Sequence, residues 1–86
     1  MPYICRDKRS QLDPWITELV QRIETQGELN YAITKLVFRE IGDFNYASLE
    51  AAIGTLECAK QELYRRVVGP YEDVKCRENG EVYNAV

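Results

Sequence analysis

The chain has 86 residues, a formal net charge of −3, three cysteines and no histidine. So short a chain holds one domain with a thin core, and its mild acidity argues against general DNA or RNA binding, which favours a basic face. Without imidazole there is no Ser-His or Cys-His nucleophile pair and no helical Glu-x-x-His metal site. The odd, scattered Cys5, Cys58 and Cys76 suit neither a zinc spacing nor a disulfide framework.

No metal, cofactor or disulfide is therefore expected. No apolar run is long enough to cross a bilayer and no leader is visible, so a soluble, cytoplasmic chain is expected. Association with further copies is the natural way to cover more apolar surface.

Met1 to Gln11 reads as an N-terminal arm, either a solvated lead-in with Tyr3 and Ile4 tucked onto the helices, or a basic arm whose Arg6, Lys8 and Arg9 help hold an anion across a subunit boundary. Leu12-Asp13-Pro14 reads as a helix start: Asp13 is the N-cap, Pro14 takes the first helical position, and Leu12 can staple onto the first turns. Ile16, Leu19, Val20 and Ile23 then recur at helical spacing, so the first helix is expected from Pro14 to about Thr25. Trp15 lies off that stripe.

Gly27 reads as a C-cap or hinge. A second helix is expected from about Glu28 to Ile41, with Leu29, Ile33, Leu36, Val37 and Ile41 on its main face. Tyr31, Lys35, Phe38 and Arg39 fall on another face, which either packs under a helix of the same chain or serves as an interface or ligand platform.

Gly42 to Asn45 is a turn, and Asn45, or else Ser48, caps the next helix. This third and longest helix is expected from Tyr46 to Val68. Its core stripe is Leu49, Ala52, Ile53, Leu56, Leu63 and Val67. A second stripe, Ala47, Ala51, Gly54 and Cys58, is small. Glycine inside a helix costs about 1 kcal/mol against alanine, so a partner helix or the tail is expected against Gly54.

Gly69-Pro70 is expected to end the third helix and open a short final one, Tyr71 to about Glu78, with Glu72 and Asp73 in its first turn. Asn79-Gly80 closes it, since both tolerate a left-handed backbone, and residues 79–86 form a C-terminal tail. The fold class is all-α: one domain, 1–86, built as a small bundle of three main helices plus a short C-terminal helix and tail, in an oligomer.

Catalytic equipment is sparse. Glu40 and Asp43 have a magnesium-type spacing but straddle the Gly42 break, and no Glu-x-x-Glu partner exists. Glu72, Asp73 and Glu78 read as helix-end charge. Cys58 reads as a packed apolar residue. Cys76 sits between Lys75 and Arg77, which would lower its pKa if exposed, but it lacks a base. Arg65 and Arg66 complement the end of a helix and can pair with Glu62, Glu72 or Asp73. Alternatively they bind an anion while Tyr71 or Tyr31 stacks on a flat ring and Asn30 or Asn79 reads polar edges.

Four blocks carry a likeness across nearly the whole chain: Met1-Pro-Tyr-Ile4, Leu12-Asp-Pro14, Gly27-Glu-Leu-Asn-Tyr31, and Tyr71-Glu-Asp73 with Glu78-Asn-Gly80. In these the chain resembles a family of short uncharacterised proteins found in bacteriophages and bacterial genomes. Glu81 stands where the resembled pattern has aspartate, which keeps the charge. The resemblance implies no settled activity. Its phage setting suggests an analogy with small helical phage oligomers that sequester nucleotide immune signals.

The leading expectation is a non-enzymatic binding protein that sequesters a small anionic, nucleotide-like ligand. Its candidate ligand-binding residues are Asn30, Tyr31, Arg65, Arg66, Tyr71, Lys75 and Asn79; catalytic and metal-binding residues are none. The expected partners are further copies of the chain, the ligand and a host protein, with no membrane. The alternatives are a module that inhibits a host protein through the Tyr31–Phe38 face and the acidic tail, or a magnesium-dependent nucleotide hydrolase.

Overall fold

The computed structural model describes residues 1–83. The fold is all-α, with three main helices and a C-terminal helix, and no strand among the described residues: α1 Arg6–Arg22, α2 Gln26–Glu40, α3 Tyr46–Leu63 and α4 Gly69–Asn79. A π-helical turn, Tyr64–Val68, joins α3 to α4.

Helix α1 begins at Arg6, not at Pro14, so most of the expected arm is helical. Arg6, Lys8, Arg9, Gln11 and Leu12 are strong helix formers, and Asp7 lies in the first turn where the dipole favours an acid. Asp13 is therefore an interior residue and not a cap. Pro14 removes only the donor that would have met the carbonyl of Ser10, a residue exposed to water. The expected tuck of the N-terminus appears as one long-range bond, from the Tyr3 hydroxyl to the Glu62 carboxylate near the end of α3.

Helix α2 starts at Gln26, which places Gly27 inside its first turn and not at a hinge. Thr25 Oγ1 accepts from the Glu28 amide at 3.1 Å, and Glu28 Oε1 reaches back to the Glu24 amide at 2.8 Å. Two orphan donors are thus met at one corner. Helix α3 opens as the sequence predicts: Asn45 Oδ1 accepts from Ser48 N at 2.9 Å, and Ser48 Oγ accepts from Asn45 N at 3.2 Å. That is a reciprocal capping box.

Gly69-Pro70 does not end this helix. Leu63 and Gly69 both keep right-handed helical angles, and the Gly69 amide donates to the Tyr64 carbonyl across the wider turn. In a regular α-helix the Pro70 ring would strike the Arg66 carbonyl and leave it without a donor. One extra residue in the turn relieves both problems, a common way for a helix to pass an obstacle. Residues 46–79 therefore form one rod of about 50 Å at 1.5 Å per residue, matching the molecule's long dimension of 53 Å. The rod stops at Gly80, whose φ of 97° is left-handed as the Asn79-Gly80 pair predicts. Of the expected tail, 84–86 lie outside the described residues.

The helices do not close on a core within one chain. No described side chain is buried, and Trp15, Ile53 and Tyr31 are 74%, 66% and 66% exposed. Phe38 and Tyr31, 54% and 66% exposed, thus do not pack under a helix among the described residues; Phe38 meets Phe44 edge to face, with ring centroids 5.9 Å apart. The radius of gyration is 17.3 Å, against about 12 Å for a compact domain of this length. Three helix faces that the periodicity marks as apolar stand largely open, with Leu19, Ile23, Val37, Ile41, Ala52 and Leu56 half-buried.

Candidate functional site

The π turn and α4 position most of the predicted site. Arg65 and Arg66 sit in the turn, where the chain passes Pro70. Tyr71, Lys75 and Asn79 follow at i, i+4 and i+8, so they share one face of α4. Asn30 and Tyr31 are on α2, which does not pack against the π turn or α4. One chain therefore gathers five of the seven predicted residues on the rod and leaves two elsewhere.

The cations differ. Arg65 Nη2 lies 3.7 Å from Glu62 Oε1, a long pair between an exposed guanidinium and a half-buried carboxylate. Glu62 also accepts from Tyr3, and that bond raises the Tyr3 pKa above its ordinary value because ionising the phenol would lose it. Arg66 makes no ion pair or side-chain hydrogen bond among the described residues. Lys75 Nζ lies 5.7 Å from the centroid of the Tyr71 ring and 3.3 Å from Glu78 Oε2. On α2, Lys35 holds the same relation to Tyr31 at 5.9 Å, and Asn30 Oδ1 accepts from Thr34 Oγ1 at 3.2 Å.

Beside this ledge is a cleft of about 600 Å³, lined among others by Tyr64, Lys75, Cys76, Asn79, Glu81 and Tyr83. Lys75 and Asn79 were expected at a site; Tyr64, Cys76, Glu81 and Tyr83 were not. The available signal was the Asn79-Gly80 turn, which folds Glu81 back over α4. Glu81 Oε1 accepts from the Val82 and Tyr83 amides at 2.8 and 3.0 Å, and Cys76 Sγ donates to Glu81 Oε2 at 3.2 Å.

These bonds lower the Glu81 pKa, the Tyr83 amide first among them and the thiol next. They raise that of Cys76, chiefly through the bond to Glu81. Cys76 is therefore not the activated thiol its basic neighbours suggested: adjacent helical residues point about 100° apart, and the group it meets is a carboxylate. The cleft carries Glu72, Asp73 and Glu81 against Lys75, so its lining is acidic on balance, and Arg65 and Arg66 are not part of that lining. Glu40 ends α2 and Asp43 lies in the turn beyond it. No three Cys, Asp or Glu side chains among the described residues cluster to hold a metal ion. No described helix is long and apolar enough to cross a membrane.

A family model described as a domain of unknown function (DUF6899) matches residues 1–82. No curated protein and no solved structure matches the chain. The chain belongs to that family of unknown function.

Proposed function

We propose that this family member is a non-enzymatic binding protein of phage type that sequesters a small anionic ligand of the nucleotide class, an anti-defence role in the cytoplasm of an infected cell. Copies of the chain assemble through their open apolar faces. The Arg65–Arg66 turn then receives the anion, Tyr71 stacks on the ligand's flat ring, and Lys75 and Asn79 meet its polar edge. Asn30 and Tyr31, which lie apart from the ledge in one chain, join it from a neighbouring copy. Arg66 carries the reading: a guanidinium with no ion pair among the described residues, beside a second arginine and one turn from a phenol that is 59% exposed. Planar guanidinium groups match phosphate oxygens bidentately and need no proton transfer, which suits a chain without histidine.

Titration calorimetry against a panel of cyclic nucleotides tests this. At least one should bind, and Arg66→Ala should weaken it about 10- to 100-fold, the worth of a charge-assisted bond. Heat from none of them, at ligand concentrations well above micromolar, overturns the reading.

The exposure of Tyr31 and Phe38 favours a second reading, an interaction module that inhibits a host protein through that face. A stoichiometric bacterial protein retained by the wild type and lost with Tyr31→Ala would select it.

A further inference from the structure

The longest helix carries a second periodicity. Leu49, Leu56 and Leu63 recur every seven residues, and Ile53, Lys60 and Val67 recur between them. This is the 3–4 alternation of a coiled-coil seam, with leucine at the d positions and β-branched residues at two a positions, the pattern of two-stranded coils. Lys60 is the single polar residue in the seam, a feature that sets register at some cost in stability. Most of the seam stands open: Ile53 and Leu63 are 66% and 61% exposed, and among its apolar residues only Leu56 is half-buried. The π turn adds a residue to its turn, so Val67 joins the seam slightly out of phase.

From this we infer that the seam of α3 pairs with the same seam of a second copy, and that the chain acquires its core only in that pair. The area decides the occupant. A compact monomer of 10.0 kDa exposes about 5,200 Å², whereas this chain exposes 8103 Å². The surplus is roughly 2,900 Å² per chain, or about 5,800 Å² across a pair, the range of obligate homodimers. A small ligand cannot cover it. The surplus is spread over α1, α2 and the rod, so the seam is the self-complementary stripe on which two copies register, and the other open apolar faces join the contact around it. The pairing underlies the assembly proposed above but not its ligand, so the test is made on the ligand-free full-length chain.

Sedimentation should give twice the chain mass, and the thermal midpoint should rise with protein concentration over a roughly 100-fold range. Ile53→Lys should lower the mass to one chain and strip most of the helical circular dichroism with it. Lys60→Leu, which should not hinder folding, should tighten the pair and raise the midpoint. A ligand-free chain that sediments as a monomer, with a cooperative melt independent of concentration, overturns the inference. So does a dimer indifferent to Lys60→Leu, which would place the contact on another face. In either outcome the calorimetric test of the Arg66 ledge keeps its own answer.

Discussion

The middle of α3 and the C-terminal end of the same rod solve opposite problems. From Lys75 to Tyr83, polar groups find partners close by: Lys75 with Glu78, and Glu81 with Cys76, Val82 and Tyr83. From Leu49 to Leu63, apolar side chains stay largely in water: Leu49, Ile53 and Leu63 are exposed, and Ala52 and Leu56 are only half-buried. Hydrogen bonds are short and directional, so a chain can meet them with its own neighbours in sequence. Every side-chain hydrogen bond among the described residues except that of Tyr3 to Glu62 joins positions no more than five apart. Burial needs surface from elsewhere, because two turns of one helix cannot cover each other. The contrast separates what a single copy completes from what it leaves for a partner.

The largest effect that could break this contrast is at Leu56. If the seam is covered by a second copy, Leu56→Ala should cost about 2–5 kcal/mol per copy, as truncation in a packed core does. If no second copy covers the seam, the loss should stay below about 1 kcal/mol, since Leu56 is only half-buried within one chain. Urea unfolding at fixed protein concentration separates the two.

Gly54 comes next, and its sign matters more than its size. An added Cβ there meets nothing within 4 Å, so among the described residues no helix or tail packs against this small-residue face. The heptad also puts Gly54 off the seam. Gly54→Ala should stabilise the protein by up to about 1 kcal/mol. Destabilisation in the same unfolding measurement would show that a partner's backbone packs on this face too.

The smallest effect sharpens the other side of the comparison. The Glu81 pKa is lowered from its ordinary 4.5 by bonds it accepts in the folded state. Its contribution is present above that value and fades as pH falls through the lowered one. The Val82 and Tyr83 amide resonances should therefore move together on acidification, with a midpoint below 4.5. Glu81→Gln should abolish that titration and leave the helical signal of α3 unchanged. A midpoint at or above the ordinary value would mean that the carboxylate does not hold the tail.

Much of the molecule was readable in advance because it is local. The 3.6-residue spacing of the apolar positions fixes an all-α chain, Asn45 and Ser48 lie three residues apart and cap each other, and Gly80 tolerates the angle that stops the last helix. Of the site, the sequence alone marked Arg65, Arg66, Tyr71, Lys75 and Asn79, which one rod does gather. Two things needed three dimensions. A proline's effect depends on whether the backbone around it can widen. At Pro14 and Pro70 the helix continued, so α1 began earlier than its signals suggested and α3 ran into α4. An apolar stripe says only that something must cover it. Only the tertiary structure showed that the described residues of one chain cover these stripes no more than halfway, because burial is a relation between surfaces and not a property of a residue or its near neighbours.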